Sequence, residues 1–256
     1  MGNPFEGQPP AYDGPGPSNE PKRHDAQLQA VPSGFKSSMA SIVFFDADKI
    51  QFYRFPEEII TIMHSLFTET WDEGVREVKD YEKARQIRLY GVPFKWDRDH
   101  NKETRAMLLK IISTLHDLGW IIYTAADFNE RDTSRTSLVF RYQVPAPPPC
   151  NWLSVSMEDH NHLRIAPLPH PDLISALLEV FGDEVYKKRV TDSDIIMKFS
   201  SQVFNSDHDD AALLNDLMLS MLEAFEKFGY TIYTNFNDLM RKEHAIDLFI
   251  FQQQKR

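Results

Sequence analysis

The sequence Gly119-Trp-Ile-Ile-Tyr-Thr124 recurs 110 positions later as Gly229-Tyr-Thr-Ile-Tyr-Thr234, and this repetition decides the predicted fold. In each copy the glycine follows a helical pattern and precedes a run of β-branched and aromatic residues, which is typical of a helix exit followed by a strand. Leu138 and Leu248 keep the same spacing. Matching segments in the same order on both sides of this pair indicate an internal duplication.

The segments before Gly119 alternate between strand and helix patterns. Residues 41–46 and 50–55 predict a hairpin, Pro56 predicts a helix start, and the alternation in residues 85–90 predicts a third strand. A second helix ends at Gly119, and two strands follow it. The hairpin pattern returns after residue 150 with an offset of about 112. Each copy is therefore predicted to be an α+β repeat of order ββαβαββ, with helices on one face of a mostly antiparallel sheet. Two such units are expected to pair as a pseudo-dimer about an approximate twofold axis.

Composition divides the chain into four parts. Residues 1–40 hold seven of the 16 prolines and five of the ten glycines, so they are predicted to be a disordered tail. Residues 41–143 form the first repeat and residues 151–256 form the second. The proline-rich segment 144–150 is predicted to be a stiff linker between them.

Charge and hydropathy exclude several classes of partner. The net charge is −10, which argues against nucleic acid and anionic membranes as main partners. Residues 41–150 carry 15 Lys and Arg against 17 Asp and Glu, whereas residues 151–256 carry ten against 17, so the second repeat is the more acidic. No apolar run is long enough for a membrane helix, the start lacks a signal-peptide profile, and Cys150 is the only cysteine. A cytoplasmic protein without membrane insertion is therefore expected.

Catalytic motifs are not evident in the sequence. It contains no G-x-S-x-G, no P-loop and no glycine-rich dinucleotide fingerprint, so no catalytic residue is assigned, no cofactor is expected and a non-enzymatic role is favoured. Residues recurring in both copies, namely Gly119 with Gly229 and Tyr123 with Tyr233, are interpreted as maintaining the fold.

A cationic segment with an aromatic residue is present in the first copy only. Lys95, Trp96 and Arg98 precede the second helix and are followed by Lys102 and Arg105, whereas the corresponding segment 204–210 is acidic. A tryptophan flanked by cations can stack on a ring or hold a carboxylate or phosphate, which makes these residues a candidate ligand or partner surface. The alternative is a solvated connector.

Two further polar segments also occur in one copy. Residues 158–162 and 207–210 combine histidines with carboxylates, as a divalent metal site would. Residues 158–162 occupy a hairpin turn, where Asp and Asn are common for local hydrogen bonds, so a turn is favoured and no metal site is expected. In residues 129–136, Arg131 and Arg135 with Ser134 could meet an anion, but an exposed flexible loop is favoured.

The tail contains two short strings that resemble known peptide ligands. Asn3-Pro4-Phe5 resembles the Asn-Pro-Phe peptide bound by EH domains of the endocytic machinery. Pro9-Pro10-Ala11-Tyr12 resembles the Pro-Pro-x-Tyr ligand of WW domains, which recognise a preformed polyproline conformation. The resemblance implies protein partners with WW or EH domains and concerns only these seven residues.

Two functional hypotheses follow. The leading one is a non-enzymatic cytoplasmic interaction protein, in which a rigid two-repeat body binds a partner and the tail recruits WW-domain or EH-domain proteins. The alternative is a small-ligand-binding protein or enzyme with a pocket between the repeats, because junctions between domains often form clefts.

Overall fold

The structure is a computed structural model that describes residues 38–94, 101–126, 134–158, 161–200, 211–236 and 248–255. The first repeat runs through six strands and two helices: β1 Met39–Phe45, β2 Lys49–Tyr53, α1 Glu57–Thr70, β3 Val75–Tyr81, β4 Ala84–Leu89, α2 Asn101–Asp117, β5 Trp120–Ala126 and β6 Ser134–Tyr142. Its strands form one antiparallel sheet, sheet 1, in the order β3-β4-β2-β1-β6-β5.

The second repeat reproduces this order with the same number of elements. They are β7 Cys150–Glu158, β8 His162–Ala166, α3 Pro171–Phe181, β9 Val185–Val190, β10 Ile195–Phe199, α4 Ala211–Lys227, β11 Thr231–Phe236 and β12 Leu248–Gln254. Sheet 2 has the order β9-β10-β8-β7-β12-β11, which matches sheet 1 strand for strand. The predicted tandem α+β duplication is confirmed.

The order of each repeat is ββαββαββ, with one strand more than the sequence predicted. The additional strands, β3 and β9, are the outer edge strands of their sheets. Most of their side chains are exposed or partly exposed, and both strands carry several charges. Edge strands often carry charges that prevent further pairing, which removes the apolar alternation that marks a half-buried strand. The same composition explains why the sequence pattern missed them.

Local chemistry accounts for the elements that were predicted. Pro56 precedes α1 as its N-cap residue, and Glu57 and Glu58 occupy the first turn, where acidic side chains interact favourably with the helix dipole. Gly119 has a φ of +85°, and a Cβ there would lie 2.7 Å from the carbonyl oxygen of Gln143, so only glycine fits. Gly229 has a φ of +77°. Both glycines maintain the fold as expected.

The strand registers correct one of the predicted equivalences. Ile42 pairs with Leu138, and its counterpart Val155, 113 residues later, pairs with Phe249. Leu138 therefore corresponds to Phe249 rather than to Leu248. Because side chains alternate between the faces of a strand, a slip of one residue moves a side chain to the opposite face. Leu138 belongs to the core of its own repeat, whereas Leu248 faces away from α3 and α4.

Two hydrophobic cores are built from different sets of elements. One contains buried residues of the second repeat alone, between sheet 2 and helices α3 and α4. The other lies between sheet 1 and helices α1 and α2 and also includes Phe236, Leu248 and Ile250 from the second repeat. Helix α2 thus packs on sheet 1 and on the face of sheet 2 that α3 and α4 leave open. The two repeats therefore form four layers in the order sheet 1, helices α1 and α2, sheet 2, and helices α3 and α4.

The two repeats pack against each other as expected, but through non-equivalent surfaces, so the expected approximate twofold axis is wrong. The first repeat contributes helix α2, and the second contributes the open face of its sheet. An approximate twofold axis would instead bring equivalent surfaces together. The edge strands β5 and β11 also approach each other at this junction. Among the described residues, no helix is long and apolar enough to cross a membrane.

Candidate functional site

A cleft of about 390 Å³ lies between helix α2 of the first repeat and sheet 2 of the second. Helix α2 contributes six residues spaced at helical intervals, and the second repeat contributes residues of β7, β8 and the β9–β10 turn. The lining residues are Lys102, Arg105, Ala106, Leu109, Lys110, Ser113, Trp152, Ser154, Arg164, Ala166, Pro167, Ser193 and Asp194.

An ion network joins the two repeats, and three of its members, Arg105, Arg164 and Asp194, line the cleft and are called its floor here. The guanidinium of Arg105 makes an ion pair with Glu158. Arg164 bridges to Glu158 at 3.1 Å and to Asp194 at 2.6 Å. Two hydroxyl groups complete the network, because Ser156 donates to Glu158 at 2.8 Å and Thr191 donates to Asp194 at 2.6 Å. Charge-assisted hydrogen bonds of this kind hold side chains in a defined geometry.

Burial and ion pairing have opposite effects on the ionisation of these side chains. Arg105 is 2% exposed, and burial lowers its pKa to about 10, which still leaves it protonated at neutral pH. Burial opposes ionisation of Asp194, but hydrogen bonds from Thr191 and Arg164 outweigh it and lower the pKa of that carboxyl group. The carboxylates Glu158 and Asp194 compensate the two arginines, and Lys102 and Lys110 add positive charge at the exposed rim.

Three aromatic rings close one end of the junction. The ring of His116 on α2 lies 5.0 Å from Trp152 and 5.7 Å from Tyr233, edge to face in both cases. The hydroxyl oxygen of Tyr233 accepts a hydrogen bond of 2.8 Å from the backbone N–H of Ile122 on β5. Burial raises the pKa of Tyr233 to about 12. The indole N–H of Trp152 is buried and has no acceptor among the described residues.

A second, larger cleft is less suited to a small ligand. It measures about 940 Å³ and lies at the end of α4, along β12 and the start of β11. Most of its lining side chains are charged or amide groups, such as Glu226, Lys227 and Gln252. Ligand pockets usually combine apolar walls with a few convergent polar groups. The cleft on α2 meets this description, with Leu109, Trp152 and Pro167 as walls, and the larger one does not.

The cleft on α2 combines exposed lysines at its rim with apolar side chains in its walls. Five of its 13 lining residues, Ala106, Leu109, Trp152, Ala166 and Pro167, are apolar, and Lys102 contributes to lowering the pKa of Asp194. The described residues contain no group of three or more His, Cys, Asp and Glu side chains that could hold a metal ion. Glu158, which the sequence analysis considered as part of a histidine-rich turn, forms ion pairs with Arg105 and Arg164.

Most residues singled out from the sequence lie outside the described part of the chain. These are Asn3, Pro4, Phe5, Pro9, Pro10 and Tyr12 of the tail, together with Lys95, Trp96 and Arg98. Ser134 and Arg135, which were assigned to a flexible connector, belong to strand β6. The turn after Glu158 is supported by a hydrogen bond of 3.2 Å from the N–H of Asn161 to the carbonyl of Glu158. Cys150, assigned to the linker, is the first residue of β7.

The sequence analysis included Arg105 in a cationic segment and Glu158 in a histidine-rich turn, but it did not identify Arg164 or Asp194 as site residues. A signal was available in the comparison of the two copies. The strand registers place Phe45, Gln51 and Ala84 at the positions of the first repeat that correspond to Glu158, Arg164 and Asp194. Three charged residues of the second repeat therefore correspond to neutral residues of the first. The one-sided features considered in the sequence were connecting segments, so Arg164 and Asp194 were not recognised.

Comparisons with known proteins agree with the duplication. The crystal structure of a conserved kinetoplastid-specific protein from Trypanosoma cruzi is similar to 41% of this chain and is covered over 96% of its own length, at 14% identity and a TM-score of 0.31. No curated protein matches the chain. One protein-family domain matches twice, over residues 38–141 and 151–252, which together make up more than half of the 256 residues. The chain therefore belongs to this domain family and carries the domain twice in tandem.

Proposed function

We propose that the protein is a non-enzymatic binding protein whose two repeats enclose a site for a small anionic ligand with an apolar part, such as an acyl or aryl carboxylate or phosphate. The supporting observation is the cleft between α2 and sheet 2, which combines apolar walls with Lys102 and Lys110 at its rim. Its volume lies within the range of small-molecule sites, roughly 300–1,000 Å³.

The ion network contributes rigidity to the proposed site. Arg105 and Arg164 are held by Glu158 and Asp194, so the floor of the cleft is fixed before a ligand arrives. A preformed site loses less conformational entropy on binding, which favours affinity. Because the two arginines are already neutralised, the rim lysines are the groups expected to attract the anionic end.

Anilinonaphthalene sulfonate, a fluorescent anion with an apolar ring system, provides a direct test. We expect the full chain to bind it saturably at one site, and Ala106→Trp, which fills the cleft, to weaken binding at least about tenfold. The matched control is Asp216→Trp on α4, because Asp216 occupies the position equivalent to Ala106. Equal binding by both variants would show that the probe does not occupy this cleft.

The charge preference is tested separately. Lys110→Glu is expected to weaken binding of the sulfonate and to leave binding of uncharged anilinonaphthalene unchanged, because only the anion interacts with the rim lysine. An equal loss for both probes would indicate that the substitution disturbs the cleft rather than its electrostatics.

We also propose a recruiting role for the tail, in keeping with an adaptor-like protein. The observation that favours it is the presence of two ligand-like strings, Asn3-Pro4-Phe5 and Pro9-Pro10-Ala11-Tyr12, within the first twelve residues. The full chain should bind an isolated WW domain and lose this binding in Tyr12→Ala, while Phe5→Ala should abolish binding to an EH domain only. If the two substitutions change neither titration, the tail does not recruit these domains. A cytoplasmic location, where both domain types operate, belongs to the same proposal.

A further inference from the structure

The contact between the two repeats is made by one helix and one sheet face. The equivalent helix and the equivalent sheet face, each in the other repeat, take no part in it. The first repeat contributes a helix, α2, and the second contributes an open sheet face. The second repeat also has the equivalent helix, α4, and the first repeat also has the equivalent sheet face. An interface between non-equivalent surfaces does not close on itself, so it can be repeated by another copy.

The unused helix surface consists of α4 and the adjacent strand β11. It presents apolar side chains at positions whose counterparts on α2 and β5 pack at the junction. Leu109 of α2 lines the junction, and its counterpart Leu219 on α4 is 62% exposed. Ile122 on β5 packs at the junction, and its counterpart Ile232 on β11 is 43% exposed. Arg105 is buried, whereas the corresponding Asn215 is exposed. Leu219 and Ile232 are therefore exposed where the first repeat partly buries the same residue types.

The unused sheet surface shows the same contrast. Tyr233, which is buried at the junction, has its counterpart in Tyr123, which is 64% exposed. Strand alternation places Val43 and Val139 on the open face of sheet 1, and both are partly exposed. Val139 pairs with Ser41 as Ile250 pairs with Ser154, so it occupies the position of a residue that packs against α2.

Charge on the two unused surfaces is complementary. Helix α4 exposes Asp216, Glu223 and Glu226 at positions equivalent to Ala106, Ser113 and His116 of α2. The open face of sheet 1 carries Arg141 and also Arg88, which is paired with Asp48 at 2.6 Å. On this face Phe45 and Gln51 replace the charged Glu158 and Arg164 of sheet 2. An acidic helix would thus meet a sheet face on which Arg141 supplies positive charge. Complementary charges of this kind set orientation and register.

We infer that the open face of sheet 1 binds helix α4 of a second copy of this chain, in the geometry that joins the two repeats within one chain. In this contact the hydroxyl group of Tyr123 occupies the place of Tyr233, and the backbone N–H of Ile232 occupies the place of Ile122. Each added copy again presents one helix and one sheet face, so the assembly grows head to tail.

The test uses variants that each block one surface. Leu219→Glu blocks the helix surface and Tyr123→Glu blocks the sheet surface, and both positions are exposed enough to keep the fold intact. In sedimentation velocity, the mass of the wild type should rise with concentration above the 29.7 kDa of one chain. Each variant alone should remain a monomer at the concentrations where the wild type assembles. An equimolar mixture of the two should form dimers and grow no further, because each variant keeps one intact surface.

The control is Tyr186→Glu on the outer edge strand β9, where Tyr186 is 56% exposed and belongs to neither surface. This variant should assemble like the wild type, and all variants should unfold thermally at the temperature of the wild-type monomer. A wild type that stays monomeric throughout, assembly that persists in Leu219→Glu, or a mixture that gives only monomers would each overturn the inference.

Discussion

Arg105 connects the two repeats at their junction. It is buried, its pKa is lowered by desolvation, and its ion pair with Glu158 crosses from one repeat to the other. Removing Arg105 leaves Glu158 with Arg164 and Ser156 as partners, so the carboxylate keeps part of its compensation. We expect Arg105→Met to lower the free energy of unfolding by about 1.5–3 kcal/mol, the usual contribution of a hydrogen bond to a charged group, measured by urea denaturation.

An exposed ion pair serves as the control for this prediction. Lys79 and Glu77 lie 2.7 Å apart at the outer edge of sheet 1, with both side chains accessible to solvent. Exposed pairs contribute little because water screens them. Lys79→Met should therefore leave the urea midpoint unchanged. A similar loss of stability in both variants would indicate that the burial of Arg105 is not what makes its charge important.

His116 is expected to make the stability of the protein depend on pH. Burial lowers the pKa of His116 below its ordinary value of 6.5, because the imidazolium is poorly solvated there. The unfolded chain therefore takes up a proton first, and the folded state loses stability as the pH falls below about 6.5 toward the lowered folded-state pKa. The stabilising contribution is fully present above this range.

The measurement compares urea unfolding at about pH 7.5 and about pH 5.5 in the wild type and in His116→Phe, which keeps a ring but cannot titrate. The loss of stability on acidification should be smaller in His116→Phe. His64, which is exposed on α1, provides the control, and His64→Phe should retain the wild-type slope. An unchanged slope in His116→Phe would assign the pH dependence to other groups.

At the scale of elements, equivalent strands of the two repeats have different roles. On β11, Tyr233 accepts the hydrogen bond from Ile122 and lies among buried rings, whereas Tyr123 on the equivalent strand β5 is exposed. Tyr233→Phe leaves the N–H of Ile122 without this acceptor, which should cost about 1–3 kcal/mol of unfolding free energy. Tyr123→Phe, measured on dilute protein, should cost nothing detectable. Equal losses of unfolding free energy in the two variants would indicate that both tyrosines only maintain the fold, as their recurrence in the two copies predicted.

At the scale of the whole molecule, the repeats are expected to unfold together. The core of the first repeat includes Phe236, Leu248 and Ile250 of the second, so neither repeat can unfold without exposing apolar surface of the other. Thermal unfolding followed by far-ultraviolet and by tryptophan signals should therefore give one coincident transition. Two separated transitions would show that the junction contributes little to stability.

The sequence by itself determined the duplication, the α+β class, the start of α1 at Pro56 and the helix exits at Gly119 and Gly229. These features depend on local chemistry, namely hydrophobic periodicity, proline at a helix start and glycine at positive φ. Strands β3 and β9 escaped prediction because the charges of an edge strand remove the alternation.

Only the tertiary structure decided how the repeats meet and where the cleft lies. The strand register turns Leu248 and Ile250 of the second repeat toward α2 of the first. Arg105, the pair Glu158 and Arg164, and Asp194 come from three separate segments of the chain. They become one network because a helix of one repeat covers the sheet of the other. Such a contact joins distant residues through packed surfaces, which leave no local pattern in the sequence.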